Sequence, residues 1–338
     1  MTQLLAELEQ QPQSFRDLID FYTHQDGLRR LDSVPGGMHP LLAGMGASYH
    51  AAWVAALHLH TLGLKALALE ATDLLNYSSP VLGADDLLIY ISQSGSSGEV
   101  APVIQQVGSA ALLAVTNDPG SPLAQKAGYV LPLLSGVETL VASKTYLNSI
   151  AVLWLLCRRL GGIPPSNEAS MLQQVLERCT ALVQGRASSA RWLETLSGAG
   201  HLFFVGHGPH AATARQAAML VSEWAKMPAL SISAGGLRHG FIESTGPGAG
   251  IVLFASPGRS QASALRLAEE LRAAGSRVML VSNGAAFEPG EVPPGIGIDE
   301  FLSPLLDIIP VQLFVDEMAA RLGVAPGFRH IQKVVTKL

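Results

Sequence analysis

The sequence predicts an α/β protein made of two doubly wound parallel sheets in tandem, preceded by a short helical leader. Three observations carry this. Short apolar runs such as Leu87-Leu88-Ile89-Tyr90-Ile91 have the length and continuity of strands buried on both faces. These runs alternate with Ala-rich helical segments and Gly/Ser turns, the pattern of parallel sheets covered by helices. The chain also matches itself. Leu41-Leu42-Ala43-Gly44-Met45-Gly46-Ala47-Ser48 parallels Phe203-Phe204-Val205-Gly206-His207-Gly208-Pro209-His210, each a strand, a Gly-x-Gly turn and the start of an Ala-rich helix. Leu87–Ser92 parallels Ile251–Ser256, and Leu112–Asn117 parallels Val278–Asn283. The offsets between copies (44 to 206, 92 to 256, 117 to 283) stay nearly constant, as a duplication requires.

In chain order, residues 1–30 are expected to form the leader, with Phe15, Leu18, Ile19 and Tyr22 at helical spacing. The first unit is placed at 31–165. It ends at Gly161-Gly162-Ile163-Pro164-Pro165-Ser166-Asn167, a run of helix and strand breakers. A helical linker is expected over 166–190, with a polar helical pattern near Glu168–Gln184. The second unit follows at 191–325, and 326–338 form a C-terminal tail.

Composition bounds the function. Of 338 residues, 48% are hydrophobic and 14% charged, enough for large cores and against disorder. The formal net charge is −5 and no basic block occurs, which argues against nucleic acid as a partner. Two cysteines, Cys157 and Cys179, make no disulfide framework and suit a reducing cytosol. The acidic start, Met1 to Glu9, is unlike a signal peptide. The longest apolar stretch, near Ile150–Cys157, is too short to span a bilayer. A cytoplasmic chain with no membrane partner is expected.

The most informative segment is Ser92-Gln93-Ser94-Gly95-Ser96-Ser97-Gly98-Glu99. It follows a buried strand and precedes Val100-Ala101-Pro102-Val103-Ile104, which opens a helix with Pro in its first turn. Hydroxyls, glycines and backbone N–H groups at a helix start make an anion cradle. The loop holds four serines and neither Lys nor Arg, so a phosphate monoester held by neutral donors fits. It is not G-x-x-x-x-G-K-[ST], which argues against a nucleotide P-loop. The plain alternative is a Ser/Gly turn with no ligand. The second copy reads Ser256-Pro257-Gly258-Arg259-Ser260, where Pro257 removes a donor. One phosphate site per chain, in the first unit, is the expectation.

Other constellations are weaker. Gly44-x-Gly46 has Tyr49 where a dinucleotide fingerprint has its third glycine, so no nicotinamide cofactor is expected. His58 and His60 point to different helix faces. His201, His207 and His210 bracket the second Gly-x-Gly turn without a ligand-spaced carboxylate or thiol. No metal and no cofactor are expected. Cys157 reads as core, and Trp53, Trp154 and Trp224 as core or interface.

Together these residues resemble the SIS (sugar isomerase) family, in particular the tandem-SIS isomerase module of glucosamine-6-phosphate synthase and its stand-alone relatives. The resemblance rests on Gly44-Met45-Gly46-Ala47-Ser48, Ser92-Gln93-Ser94-Gly95, Val141-Ala142-Ser143-Lys144, a helix carrying Glu223, Gly236-Leu237-Arg238-His239-Gly240, and Lys333, in that order. It implies two three-layer, flavodoxin-like units with five-stranded parallel sheets, and hexose or amino-sugar 6-phosphate substrates. By resemblance Ser92, Gln93, Ser94 and Ser97 bind the phosphate. Gly46, Ala47, Ser48 and the Val141–Ser143 segment surround the sugar. Glu223 matches the base, His239 the ring-opening histidine and Lys333 the lysine of the tail. It further implies a homodimer in which the histidine enters the neighbouring subunit's site. Ala47 stands where the synthase has Thr, and Phe241 replaces a proline that often follows His-Gly. Leu140–Thr145 aligns with the family's Val-Ala-Ser-Thr-Lys in two registers one residue apart, and both remain open. Met1 is not followed by Cys and no glutaminase domain precedes the repeat, so glutamine-dependent amination by this chain alone is not expected.

Aldose–ketose isomerisation needs a base for the α-proton, a group that opens the ring, and a donor near the developing oxyanion. Glu223, His239 and Lys333 supply those types, against the plain reading of a helix-surface carboxylate, a solvated loop histidine and an exposed tail charge. The expected reaction is isomerisation, or isomerisation with loss of an amine, as in glucosamine- or fructosamine-6-phosphate deaminases and deglycases. The alternative is a non-catalytic phosphosugar sensor. Such sensors sit beside DNA-binding helices, for which the 30 or so residues before the first unit are too few.

Overall fold

The computed structural model describes residues 1–185, 188–196, 198–291, 297–325 and 327. The first sheet comprises β1 (His39–Gly44), β2 (Leu67–Glu70), β3 (Asp86–Ile91), β4 (Ala111–Thr116) and β5 (Tyr129–Pro132) in the order β2-β1-β3-β4-β5. Every pairing in it is parallel. The apolar runs fall where the sequence places them: Leu87 to Ile91 are all buried, and β3 pairs with β1 and β4 on either side.

The second sheet comprises β6 (His201–Gly206), β7 (Ala229–Ser233), β8 (Ala249–Phe254), β9 (Arg277–Ser282) and β10 (Ala285–Phe287) in the order β10-β9-β8-β6-β7. The expectation of a wholly parallel sheet is corrected at its edge, where β10 runs antiparallel to β9. Ala285 pairs with Ser282, leaving Asn283 and Gly284 as a two-residue turn with φ of 47° and 75°. Asn-Gly with both residues at positive φ is the preferred two-residue hairpin turn, because its twist matches that of the strands. The chain therefore folds back at once rather than crossing over.

Two compact units emerge, one of Met1–Pro12 with Gln174–Gly327 and the other containing Gln13–Gln173. The leading helices divide accordingly. The helix Gln3–Glu9 belongs with the second unit, where the Thr2 hydroxyl donates to Asp316 Oδ1 at 2.6 Å and Gln11 donates to Gln312 at 2.9 Å. Tyr22 instead donates to the Pro132 carbonyl of the first unit at 2.9 Å. Each core has a layer of strand side chains under helices: Leu41, Leu88, Leu112, Val103 and Leu123 in one, Phe203, Ile251, Leu253, Leu267 and Val278 in the other. Cys157 is buried under the Ala55 carbonyl, and burial pushes its thiol up, away from reactivity. No helix among the described residues is long and apolar enough to cross a membrane.

Candidate active site

The strand orders define where a ligand belongs. In the first sheet the chain leaves β1 toward β2 on one side and resumes at β3 on the other, so the switch point lies between β1 and β3. In the second it lies between β6 and β8. Crevices open beyond the carboxyl ends of strands at such points. The segments singled out in the sequence, Gly44–Ser48 and Ser92–Glu99, follow β1 and β3 directly. Gly46 and its counterpart Gly208 share one backbone conformation, φ 51° and ψ −123°. Only glycine adopts it readily, so the duplicated turn is a backbone requirement in both copies.

The Ser92–Glu99 loop is pinned at its start and open at its end. Ser92 is buried; its N–H donates to Val115 O at 3.0 Å and its hydroxyl accepts from Gly95 N–H at 3.2 Å. Gln93 is exposed, and its carbonyl accepts from Asn117 N–H at 3.0 Å. The Ser94 hydroxyl accepts from Ser96 N–H at 3.3 Å. Ser97 hydrogen-bonds the buried Tyr90 hydroxyl, whose pKa is raised, first by burial and then by the charge of Glu99. Gly95, at φ 58°, is forced by space as well as torsion: a Cβ there would stand 2.1 Å from the Ser121 hydroxyl. The N–H groups of Ser94, Ser97, Gly98 and Glu99 take no partner among the described residues. Free N–H groups among hydroxyls at a helix start can hold a phosphate.

Asn117 ties this loop to the next segment. Its side chain donates to Gly136 O at 2.8 Å and accepts from Ser135 N–H at 2.7 Å. Beyond it Val141 and Ser143 are buried, and Ser143 is the residue before the helix Lys144–Leu160. The Glu138 carboxylate caps that helix. Its Oε1 accepts from the N–H groups of Ser143 (2.9 Å), Lys144 (2.6 Å) and Thr145 (3.2 Å) and from the Ser143 hydroxyl (2.9 Å). The Thr145 hydroxyl donates to the other oxygen. A carboxylate at a helix N-terminus meets both orphan donors and the positive dipole end. Lys144, buried, donates to Val137 O at 2.7 Å and closes the segment. Asn117 and Glu138 are not among the residues the sequence motifs point to. The one signal for Glu138 is an acid shortly before a helix start.

Gly46, Ala47, Ser48, Ser92, Gln93, Ser94, Ser97, Val141 and Ser143 thus all lie in the first unit, on segments beyond the carboxyl ends of its strands. Glu223 and His239 lie in the second unit. Glu223 does not sit on a regular amphipathic helix as expected. The helix Pro209–Leu220 gives way to a π turn, Val221–Ala225, and Glu223 is at its centre, half-buried. Single π turns recur at functional sites because they displace a side chain from the α register. The turn precedes β7 and His239 follows β7, at the end of the short helix Ala234–Arg238. A five-residue strand spans about 17 Å, so the two residues lie at opposite ends of β7, an edge strand of the second sheet. His239 is exposed. Lys333 lies outside the described residues.

The second unit's own switch point is filled from within. Ser256, the counterpart of Ser92, donates to Asp307 Oδ2 at 2.5 Å and accepts from Asn283 N–H at 2.8 Å. Asp307 Oδ1 accepts from Gly284 N–H at 2.7 Å, and His210 Nδ1 lies 3.4 Å from Oδ2. His210 Nε2 meets the Ser303 hydroxyl at 3.1 Å. All of these side chains are buried. Burial pushes the Asp307 carboxyl up to about 7, opposed by the Ser256 and Gly284 bonds and the charge of Arg178; burial holds His210 down at about 3. Ser303, His210 and Asp307 align as in a hydrolase triad, but Ser303 has no exposed surface, so the arrangement is structural. A carboxylate occupies this unit's donors where the first unit leaves its donors open. His58, buried, stacks on Trp154, and His60 is exposed and bonded to Ala66 O at 2.8 Å, which gives each a role without a metal.

These features define a class: a tandem, doubly wound α/β chain with an open, hydroxyl-rich loop at the switch point of one copy and a closed one in the other. The chain belongs to the SIS domain family, whose model matches residues 39–159 and 195–286, one segment in each unit. Among curated proteins it is similar to the glutamine--fructose-6-phosphate aminotransferase [isomerizing] of Shouchella clausii, 27% identical over 333 residues, covering 95% of this chain and 56% of that protein. It thus spans little more than half the length of such relatives. Among solved structures, it superposes on the C-terminal domain of glucosamine-fructose-6-phosphate aminotransferase from Francisella tularensis with a TM-score of 0.84 at 18% identity, covering 96% of this chain and 98% of that one. On glucosamine-6-phosphate deaminase from Thermotoga maritima the TM-score is 0.80 at 20% identity, with 100% of both chains covered.

Proposed function

We propose that this chain is a cytoplasmic enzyme that moves a proton between C1 and C2 of a hexose or amino-sugar 6-phosphate. The observation that carries the reading is the open Ser92–Glu99 cradle at the first sheet's switch point. Ser92, Gln93, Ser94 and Ser97 hold the phosphate. Gly46, Ala47, Ser48 and the Val141–Ser143 segment, braced by Glu138, surround the sugar. Glu223 takes the proton from one carbon of the open-chain sugar and returns it to the next through an enediol, His239 opens the ring, and Lys333 has the chemistry of a donor to the developing oxyanion. On an amino sugar the same step gives an enolamine; proton return to C1 makes the C2 imine, water adds at C2, and ammonia leaves to give the ketose phosphate. Proton transfer of this kind needs no cofactor.

The placement of Glu223 and His239 across β7 supports a composite site. On this reading His239 comes from a partner chain, Glu223 and His239 serve one substrate from two subunits, and the enzyme works as a homodimer. The family and its similar structures, one from an aminotransferase and one a glucosamine-6-phosphate deaminase, support the substrate class.

The test is turnover of a panel of hexose and hexosamine 6-phosphates in D2O. NMR reads exchange of the C1 or C2 proton, and a coupled assay reads ammonia. Exchange that needs Ser94 and Glu223 supports the proposal. Tight binding of a sugar phosphate without any exchange assigns the chain instead as a sensor.

A further inference from the structure

The π turn carrying Glu223 calls for a cause. Its i→i+5 geometry is poorer than that of the α-helix it ends, so surrounding contacts must over-determine it. Two do. At its end Lys226 adopts the left-handed region (φ 57°, ψ 29°), its N–H bonds Val221 O, and its amine reaches back to the Glu223 carbonyl. In its middle Trp224, buried beside Glu223, donates its indole N–H to Asp316 Oδ1 at 3.1 Å. The same oxygen accepts the Thr2 hydroxyl at 2.6 Å, and Thr2 also caps the helix Gln3–Glu9 by accepting from Leu5 N–H at 3.1 Å. Asp316, 8% exposed on the helix Ser303–Arg321, is therefore a fixed acceptor that two distant segments share.

We propose that Asp316 is a positioning residue for Glu223: by holding the Trp224 indole it keeps the turn in its π register and so fixes where the carboxylate points. This rests on the reading of Glu223 as the proton-transfer base. Without the acceptor the turn relaxes toward α geometry. A one-residue change of register turns a side chain by about 100° around the helix axis, which removes the base from a substrate carbon. The phosphate cradle belongs to the other unit, so ground-state binding is left alone. The signature is a loss in kcat with KM nearly constant.

The experiment compares four variants of the full chain: D316L, which matches shape and removes the acceptor; D316N, whose carbonyl oxygen still accepts; W224F, which removes the donor and keeps most of the ring; and E223Q. Each is assayed for exchange of the C1 proton of fructose 6-phosphate in D2O, for binding of inorganic phosphate, and for thermal unfolding. D316L and W224F are expected to lose tenfold or more in exchange rate with phosphate affinity within about twofold of wild type. D316N is expected to stay within about threefold in both. Exchange that survives E223Q sinks the assignment of the base. Exchange lost in E223Q but kept in both D316L and W224F, or lost equally in D316N and D316L, overturns the role of Asp316 alone. If D316L does not fold, the contrast between W224F and D316N decides.

Discussion

Replacing Gly95 by Ala tests the phosphate cradle at its tightest point. Gly95 sits at φ 58°, where a side chain costs about 1–2 kcal/mol. The new Cβ would also stand 2.1 Å from Ser121 Oγ, 2.6 Å from Ser121 Cβ and 3.1 Å from Thr116 Oγ1. Ser121 is buried and caps the helix Pro122–Lys126 by accepting from Ala124 N–H at 3.3 Å. Moving it aside loses that cap, about 1 kcal/mol. If the loop moves instead, Gly95 N–H leaves Ser92 and Leu123 N–H leaves the Gly95 carbonyl, bonds of 3.2 and 3.1 Å. Each such bond is worth about 1 kcal/mol. The sum is roughly 2–4 kcal/mol of stability. A cradle displaced by about an ångström loses one or two charge-assisted bonds to phosphate, on the order of tenfold to a thousandfold in affinity. Urea unfolding and calorimetric titration with fructose 6-phosphate measure both. Two further variants separate the causes. Gly108 has φ 60°, and a Cβ added there would meet nothing within 4 Å, so Gly108→Ala is expected to cost about 1 kcal/mol and leave binding unchanged. In Gly95→Ala/Ser121→Gly the overlapping atoms are gone and glycine is tolerated as a cap, so stability is expected to recover to within about 1–2 kcal/mol of wild type. The steric reasoning is refuted if Gly95→Ala lies within about 0.5 kcal/mol of wild type with unaltered affinity, or if Ser121→Gly restores nothing.

Three other outcomes follow from the site. Glu223→Gln keeps shape and removes the base, so kcat is expected to fall about a hundredfold or more with substrate affinity nearly unchanged; a kcat within about twofold of wild type would make Glu223 a plain surface residue. Mixing inactive His239→Ala and Glu223→Gln chains is expected to restore activity in part of the heterodimers' sites, whereas no recovery despite demonstrated subunit exchange counts against a composite site. Asp307→Asn probes the filled switch point through pH. The Asp307 carboxyl is raised to about 7, so its contribution to stability is full below the unfolded value of about 3.9 and is lost as pH rises to about 7. His210 is lowered to about 3, so its contribution is full above about 6.5 and is lost as pH falls. From about pH 4 to 6.5 the two slopes oppose each other, and folded and unfolded states hold one proton each on this pair. Removing Asp307 leaves the slope of His210, so the stability of Asp307→Asn minus that of wild type is expected to climb by about 1.4 kcal/mol per pH unit between about pH 4 and 7; a difference that stays constant across that range would contradict the raised Asp307 carboxyl.

The sequence alone determined what depends on neighbours along the chain. Apolar runs of strand length, Gly-x-Gly turns and the hydroxyl-rich Ser92–Glu99 segment marked two doubly wound units and the place of the open loop beyond β3, because burial on both faces and glycine-only torsions leave a local mark. The Asn283-Gly284 turn carried a local mark too, a hairpin signal, but the parallel pattern of the repeat masked it. Only the tertiary structure decided the rest. Glu138 reached a helix start through a loop whose path the pattern does not state. The Asp307 carboxylate filled the second switch point, although Ser256 and Asp307 are 51 residues apart. Thr2 and Trp224 met on Asp316 across 314 and 92 residues, and the turn carrying Glu223 took a π register that no period in Gln216–Lys226 announces. In each case the deciding term is a buried polar group finding its partner. Desolvation makes that pairing compulsory, but which distant residue supplies it is settled only when the units fold.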